Sequence, residues 1–556
     1  MTFKSLLVGI LITSSIAMSV APSGARAPAR EGRSRAAADG LTRAFRAGEI
    51  DRATHALERA ASVFDHGAVR RRFGSVERPD SHSATFLMRD LAASIDELSE
   101  AEQTKAQRIL ARPTDGAADP QDQGYASSAA IEDFCNSYQD EKTQKFSDIC
   151  IHWATSTADA PDLTDSDHNT VPDYVDLVRG TLAQVWQREI NELGYKPPLP
   201  DGQSGPTPGL DVYLADIGND GIYGYCTNDK PKKDSRRQSA YCVLDNDYSA
   251  EDFAPGVHGV EALQVSAAHE FFHAVQFAYD WLERRFFMEG TAVWIEDEVF
   301  DEVNAHYEYL HDSALHQPEI PLDAGDTRPN ENFEYGSWLF WQFMAERFSG
   351  PKTIKSVWNR ASASNVYEAL SGTLRQLNSN IANAYADFAE WNRVIDDNNF
   401  GLKLFSEGIA YMQAVNYRYP PTDGEFWLGA PRPSSGPREL RLDHLSMRYV
   451  LFQPGWITEE PTKLMLRVAA KDVPGARVRA VSIAANDVNG DFIFDETCQK
   501  THSIALNQRG AGAKALPFSQ ATCGGESWEY SLIYLTLVNG GFKDSARFNY
   551  KATVIE

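Results

Sequence analysis

The pentapeptide HEFFH, at residues 269–273, limits the folds open to this chain more than any other part of it. It lies within an otherwise apolar stretch, LQVSAAHEFFHAVQFAY, which predicts a helix that is buried over most of its surface. Residues four apart lie on one face of a helix, so His269 and His273 can direct their ring nitrogens to one point. Because buried polar side chains need partners, these two histidines and Glu270 require a specific environment.

The spacing matches the HExxH pattern, in which two histidines on one helical face bind zinc. Zinc lowers the pKa of a bound water to about 7, and Glu270 would lie close enough to take the proton from that water. A catalytic zinc site also requires a third protein ligand and an open fourth position. The alternative is a structural helix with two satisfied core histidines and an ion-paired glutamate.

A second helix, predicted over residues 288–299 (MEGTAVWIEDEV), offers the missing ligand. Glu289 lies at its beginning, where a carboxylate would face the first helix, and we expect Glu289 to be the third metal ligand. Glu296 lies seven residues further on and shares that helical face two turns away. It is the alternative third ligand, and otherwise a hydrogen-bond partner of a ligating histidine.

An HExxH helix followed by a Glu-Gly-x-Ala helix resembles the gluzincin metallopeptidases. The strings HEFFHAVQFAYD and MEGTAVWIEDEV resemble those of a group of secreted bacterial metallopeptidases, most closely over residues 149–411. The resemblance implies a zinc peptidase acting on proteins or peptides, with a glutamate on the following helix as third ligand. In this chain the interval from His273 to Glu289 is shorter than in thermolysin-like or aminopeptidase members. No acidic residue lies four positions after Glu289.

A peptidase also needs a group that stabilises the oxyanion of the tetrahedral intermediate. Tyr335, in FEYGSW, resembles the tyrosine that opens a later helix in the aminopeptidase branch; an ordinary aromatic core residue is the alternative. His306, His311 and His316 are expected at the surface. No GAMEN-like segment is found, which favours endopeptidase action, and a predicted strand at residues 239–244 is the expected sheet edge for an extended substrate.

The leading hypothesis is therefore a zinc metalloendopeptidase that uses metal-activated water with Glu270 as general base. A zinc hydrolase that acts on a non-peptide ester or amide carries the same motif and is the first alternative. The second alternative is an inactive exported protein that binds calcium or adheres to a surface.

Residues 165–176, DSDHNTVPDYVD, have the spacing of a twelve-residue calcium loop followed by a helix. The oxygen ligands would be Asp165, Asp167, Asn169, the carbonyl of Val171, Asp173 and Asp176. Thr170 stands where such loops usually have glycine. The alternative is a polar turn in which Asp173 caps the helix.

The chain begins like an export signal. Lys4 precedes an apolar stretch at residues 6–21, and a small-x-small site ends at Ala27. We therefore expect a protein secreted to the extracellular space or periplasm. The six cysteines fall into local pairs, which predicts three disulfides in such a compartment. The pairs are Cys135 with Cys150, Cys226 with Cys242, and Cys498 with Cys523.

A formal net charge of -25 argues against nucleic acid as a partner. No later apolar run is long enough to span a membrane, and we expect a soluble monomer with Zn²⁺, and with Ca²⁺ if the loop binds it.

The fold class predicted is α+β, with a zincin-like catalytic domain whose C-terminal part is largely helical, followed by an all-β sandwich. The predicted divisions are a signal peptide (1–27), a helical segment and linker (28–130), the metallopeptidase domain (131–415), a Pro-rich linker (416–437) and the sandwich (438–556). The segment before residue 131 is compatible with a propeptide or with a plain N-terminal helical domain. Sandwich strands are predicted at residues 448–452, 463–468, 478–484, 532–538 and 547–555.

Overall fold

The computed structural model describes residues 39–76, 83–114, 131–202, 204–228, 230–232, 234–326, 332–393, 405–416, 420–455, 462–486, 496–523 and 526–556. The predicted signal peptide lies outside these residues. The described chain forms two compact units, a larger one within residues 39–421 and a smaller one within 422–556. The general α+β prediction is confirmed, since the units combine helices with several sheets.

The larger unit is mainly helical. Its α-helices are α1 (Gly40–Arg46), α2 (Arg52–Phe64), α3 (His66–Phe73), α4 (Thr85–Ser94), α5 (Glu100–Ile109), α6 (Asp173–Trp186), α7 (Ala250–Phe253), α8 (Gly259–Asp280), α9 (Arg285–Val299), α10 (Phe333–Gly336), α11 (Trp338–Arg347), α12 (Pro351–Ala361), α13 (Val366–Gln376), α14 (Ile381–Arg393) and α15 (Gly408–Ala414). A π-helical segment, Gln187–Glu192, continues α6. Shorter 3-10 helices are Ile95–Glu97, Gly218–Asp220, Ala305–Asp312 and Ala324–Asp326.

A five-stranded mixed sheet supports these helices. Its strands are β1 (Ile131–Asp140), β2 (Lys145–Ala154), β3 (Leu210–Ala215), β4 (Gly224–Thr227) and β5 (Tyr241–Asp245), in the order β1-β2-β3-β5-β4. Strands β2, β3 and β5 are parallel, and β1 and β4 run antiparallel to their neighbours. The strand predicted at residues 239–244 corresponds to β5, but the expectation that it forms the edge is wrong. Strand β4 pairs with the outer side of β5 and takes the edge position.

Two disulfides join strands within this sheet, as predicted. Cys135 lies directly opposite Cys150 across β1 and β2, and Cys226 lies opposite Cys242 across β4 and β5. Cys498, in the smaller unit, is also disulfide-bonded. The side chain of Cys523, its predicted partner, lies outside the described side chains.

Helix α8 carries the HEFFH sequence and packs against the sheet. It contacts β4 and β5 on one side and α6 and α9 on others, and from Ala262 onward nearly every residue is buried. A helix that is apolar all round is expected in this position, because a helix with one polar face would leave that face without water. The fold thus buries the three polar side chains of HEFFH, which are those of His269, Glu270 and His273.

The N-terminal helices α1–α5 belong to the same compact unit as the sheet. Ser83 forms a parallel bridge with Gly224 at the start of β4. Beyond α5, the buried guanidinium of Arg112 pairs with Asp211 of β3 and with Asp201 at 2.7 Å. These contacts join the predicted N-terminal segment to the sheet at both its edge and its centre.

The smaller unit is a β-sandwich. One sheet has the order β11-β10-β14-β8-β6, with β13 paired to β14, and the other has the order β12-β9-β15-β7. The strands are β6 (Thr422–Leu428), β7 (Arg438–Leu442), β8 (Ser446–Pro454), β9 (Lys463–Ala469), β10 (Ala476–Asn486), β11 (Glu496–Ser503), β12 (Ala511–Pro517), β13 (Ser519–Cys523), β14 (Glu526–Asn539) and β15 (Ala546–Ile555). Apolar residues of both sheets form one core. All five strands predicted from the sequence are present, and β6 lies within the predicted Pro-rich linker.

Within the described part of the chain, no helix combines the length and the apolar character that crossing a membrane requires.

Replacing Arg112 with alanine tests whether the N-terminal segment is anchored through this buried pair. The carboxylates of Asp201 and Asp211 are fully buried, and loss of their cation should destabilise the larger unit by about 3–5 kcal/mol. Urea unfolding followed by tryptophan fluorescence measures the shift in the midpoint. The matched control is Arg108→Ala, since Arg108 is exposed; equal midpoints for the two variants would contradict the anchoring role.

Candidate metal centre

Helices α8 and α9 bring together the three predicted metal ligands. The Nε2 atoms of His269 and His273 lie 3.0 Å apart. The Oε2 atom of Glu289 lies 3.0 Å from the first nitrogen and 3.3 Å from the second. All three side chains are almost completely buried.

These three distances have the size that a tetrahedral metal site requires. With zinc bonds of about 2.0–2.1 Å, tetrahedral ligand atoms stand about 3.3 Å from one another. Burial raises the pKa of Glu289, but the His273 and His269 rings outweigh burial and bring that pKa down to about 2. A carboxylate oxygen and two ring nitrogens converge on one point, and this donor set fits a divalent cation.

Hydrogen bonds on the far side of each ring fix its orientation. The Nδ1 atom of His269 lies 2.6 Å from Oε1 of Glu296, and the Nδ1 atom of His273 lies 2.8 Å from Oε1 of Gln276. Both partners are acceptors, so a proton on each Nδ1 leaves each Nε2 free to bind a metal. Gln276 is held in turn by the carbonyl of Met288 at 2.9 Å.

The geometry separates the two candidate glutamates. Glu289 faces both Nε2 atoms, whereas Glu296 contacts the opposite nitrogen of His269. Glu296 therefore occupies the position of an orienting partner, the second role that the sequence allowed for it. Glu296 contacts His269 in this way although no acidic residue lies four positions after Glu289. Gln276 was missed, although its place three residues after His273 on the same helix indicates contact.

Glu270 lies beside the two histidines in a tightly packed site. Burial raises its pKa, and the His273 and His269 rings and a hydrogen bond from Thr85 oppose that rise. The Thr85 hydroxyl donates to Oε2 of Glu270 at 2.8 Å. A side chain at Gly224 of β4 would come within 2.9 Å of the Glu270 Cγ atom, so only glycine permits this approach.

The Cys226–Cys242 disulfide lies directly beneath Glu270. The Sγ atom of Cys226 is 2.9 Å from the Glu270 carbonyl oxygen, so the disulfide between β4 and β5 contacts the backbone of α8 at Glu270.

The Glu-Gly-x-Ala sequence also has a packing explanation. A Cβ atom at Gly290 would lie 2.2 Å from the Ser337 Oγ and 2.9 Å from the ring of Trp341. The Ser337 hydroxyl donates to the Phe286 carbonyl at 2.6 Å. The missing side chain at Gly290 thus lets the start of α11 pack against α9 next to Glu289.

Tyr335, on α10, lies beside His269. Its ring centroid is 6.3 Å from that of His269, and it stacks on Tyr309 at 5.1 Å. Tyr335 is therefore an aromatic neighbour of the centre as well as part of the core, and its proposed role with the oxyanion stays a prediction.

His306, His311 and His316 were all expected at the surface. The expectation is wrong for His306, which is fully buried and packs edge-on against Trp338 with ring centroids 4.5 Å apart. His311 is exposed and His316 is half-buried.

The predicted calcium loop forms a compact turn before α6. Oxygen atoms of Asp165, Asp167 and Asp173 lie within 4.8 Å of one another. Thr170 has a φ of 75°, in the left-handed region that the usual glycine adopts at this position of the loop. Pro172 occupies the N-cap position of α6, and the Asp173 carboxylate instead accepts from the Ser166 amide within the loop at 3.0 Å.

The other proposed oxygen ligands are partly engaged within the loop itself. The Asn169 side-chain amide donates to Oδ2 of Asp176 at 2.7 Å, and the Asn169 Oδ1 accepts from the Val171 amide at 2.7 Å. Asp176 also pairs with Arg179 at 2.8 Å. Calcium binding here stays a prediction.

Comparison with known proteins identifies no family. No family model matches the chain, and no curated protein matches it. One similar solved structure is that of a novel family GH115 4-O-methyl-alpha-glucuronidase, BtGH115A, with specificity for decorated arabinogalactans. It is 9% identical to this chain, with a TM-score of 0.13, and the match covers 53% of this chain and 38% of that chain. A TM-score this low carries no argument about fold or function.

Removing each candidate glutamate should affect metal binding differently. Glu289→Ala removes a ligand atom and should abolish stoichiometric Zn²⁺ binding at this centre. Glu296→Gln keeps the ligands but weakens the orientation of His269, which should lower Zn²⁺ affinity about 10–100-fold. Competition titration with a chromophoric chelator measures both affinities. The reverse order of effects would mean that Glu296 is the ligand.

Proposed function

We propose that this chain is a zinc-dependent endopeptidase that hydrolyses peptide bonds in proteins outside the cytoplasm. The observation that carries the proposal is the convergence of His269, His273 and Glu289 on one point, with Glu270 beside them. The two disulfides and the predicted export signal are compatible with a secreted protein. The choice of a peptide substrate rests on the resemblance of the two helices to gluzincins.

His269, His273 and Glu289 would hold the zinc ion. Bound zinc supplies a Lewis acid that acidifies a water molecule and polarises the scissile carbonyl. Glu270 takes the proton from the attacking water and passes it to the leaving amine. The raised pKa of Glu270 suits both transfers, because a base must also release its proton within the same cycle.

The surrounding residues position these groups. Glu296 and Gln276 keep the histidine Nε2 atoms directed at the metal position, and the Tyr335 hydroxyl donates a hydrogen bond to the oxyanion. An extended peptide would pair with β4, which is the edge of the sheet next to Glu270. We also propose that the loop at residues 165–176 binds calcium and stabilises the start of α6.

Glu270→Gln tests the proposed base. The variant keeps the size of the side chain but loses the proton acceptor, and kcat on a fluorogenic peptide or casein should fall about 10²–10⁴-fold with little change in Zn²⁺ content. Glu261→Gln on the exposed first turn of α8 is the matched control and should retain full activity. Activity that survives both Glu270→Gln and removal of zinc by a chelator would overturn the proposal.

Two results would redirect the assignment. If the zinc-loaded chain cleaves no peptide in a diverse peptide library but hydrolyses esters or amides, the non-peptide hydrolase replaces the peptidase. If the chain binds calcium but no zinc, the inactive exported protein replaces it.

Tyr335→Phe should lower kcat without raising KM if the hydroxyl contributes to the transition state.

A further inference from the structure

A second group of metal-binding side chains lies at the far end of α9. Asp297 is on α9, His306 is on the 3-10 helix Ala305–Asp312, and Glu407 precedes α15. The His306 Nε2 atom lies 3.7 Å from Oδ1 of Asp297 and 3.9 Å from Oε2 of Glu407. One donor atom from each residue lies within 4.8 Å of the others.

Two of these side chains have buried polar atoms that form no hydrogen bond with the described residues. His306 is 0% exposed, and neither of its ring nitrogens is hydrogen-bonded within the described part of the chain. Asp297 is 8% exposed, and its Oδ1 atom is also without a hydrogen-bond partner there. Buried polar groups nearly always have a hydrogen-bond or metal partner. The imidazole of His306 and the carboxylate of Asp297 are 3.7 Å apart, which is too far for a direct hydrogen bond. We therefore infer that a bound partner lies between them.

The charge around this group favours a cation. Asp301 and Glu298 lie close enough to Asp297 to add negative potential to that of Glu407. Arg188 is already paired with Glu298 at 2.6 Å. A divalent ion would neutralise the two facing carboxylates.

The donor set also selects the kind of cation. Calcium takes oxygen ligands, whereas an imidazole nitrogen suits zinc and its neighbours in the transition series. The separations of 3.7 and 3.9 Å are slightly wider than the roughly 3.3 Å of a tetrahedral zinc site. The Tyr411 hydroxyl donates to Oε2 of Glu407 at 3.1 Å and orients that carboxylate.

We propose that Asp297, His306 and Glu407 bind a second divalent transition-metal ion of the zinc type. This ion holds the C-terminal end of α9 to the 3-10 helix and to the start of α15. Its role is structural, and it does not depend on the proposed peptidase activity, because none of its ligands belongs to the first centre.

Zinc stoichiometry of the full-length chain tests the second site. After equilibration with Zn²⁺ and gel filtration, mass spectrometry of the metal should find two ions per chain. Glu407→Gln, a partly exposed position with an isosteric change, should leave one ion, as should Asp297→Asn. His311→Ala, an exposed histidine of the same 3-10 helix, is the matched control and should retain two.

In this experiment, each single variant should remove the ion of one centre and leave the other centre occupied. Glu289→Ala should also leave one ion, and the Glu289→Ala/Glu407→Gln double variant should leave none. Wild-type stoichiometry in Glu407→Gln and Asp297→Asn, with circular dichroism unchanged, would overturn the second site. Loss of zinc in Glu407→Gln but not in Glu289→Ala would instead overturn the proposed peptidase centre.

A separate observation concerns residues 83–85, which lie along the edge strand β4. Ser83 bridges Gly224 in parallel, and the Ala84 amide donates to the Gly224 carbonyl at 3.2 Å. The Cys226 amide donates to the Thr85 hydroxyl at 2.7 Å. That hydroxyl donates in turn to the Glu270 carboxylate. The segment therefore pairs with the edge strand and also binds the side chain that is proposed as the general base.

Helix α4 then continues across the centre. The Phe86 ring meets the His273 ring edge-on at 6.0 Å. Arg89 donates to the carbonyl of Glu283 at 3.0 Å, and Asp90 pairs with Arg285 at 2.8 Å. These contacts hold the segment against both α8 and α9.

We infer that residues 83–90 inhibit the centre by occupying the place of an extended substrate. This inference rests on the proposed function, since it concerns access to that same site. Activation then requires displacement or removal of the segment, which frees β4 for pairing and Glu270 for proton transfer.

Weakening the contacts of α4 should open the centre in the full-length chain. The Phe86→Ser/Arg89→Ala variant should bind a small hydroxamate, a metal-binding probe, at least tenfold more tightly than wild type and should cleave peptide faster. Arg108→Ala on α5 is the control and should match wild type. Calorimetry of hydroxamate binding reports access without requiring catalysis.

The outcomes separate inhibition from the proposed function. Tighter hydroxamate binding without peptide cleavage would support the covering role and count against the peptidase. Equal hydroxamate affinity and equal cleavage rates in a folded Phe86→Ser/Arg89→Ala variant would overturn the inhibition.

Discussion

Three electron-pair donors meet at one point in the buried interior of the larger unit. The Nε2 atoms of His269 and His273 and a carboxylate oxygen of Glu289 lie within 3.3 Å of one another. In an apolar interior such a group is costly unless a cation compensates it. The packing of α8 against the sheet, the close approach of helices at Gly290 and the hydrogen bonds on the far side of each ring all maintain this arrangement.

The sequence predicted those parts of the centre that depend on short intervals. HEFFH places His269 and His273 on one face through helical geometry alone, and MEGTAVWIEDEV places Glu289 and Glu296 on one face of the next helix. Cysteine spacing predicted the two disulfides because each pair lies opposite in neighbouring strands. The sandwich strands were found for a similar reason, since alternation of apolar residues is visible within each strand.

Contacts between distant segments could not be predicted in the same way. Thr85 is 185 residues from Glu270, and nothing in its local sequence indicates that it reaches a helix so far along the chain. The order of β4 and β5 depends on which hairpin partner lies outermost, so the edge was assigned to the wrong strand. His306 looked like a surface residue because its burial depends on Trp338, which packs over it only in the folded chain.

The Cys226–Cys242 disulfide contacts the backbone of Glu270, so the surroundings of Glu270 are complete only after this bond has formed. Cysteines in a reducing cytosol stay as thiols, and Cys226 and Cys242 join only where the surroundings are oxidising. Until then β4 is tied to β5 by hydrogen bonds alone, and the backbone of Glu270 rests on an unlinked pair of strands. For a chain exported as proposed, this disulfide would form only outside the cytosol, so the support of the Glu270 backbone would be completed there.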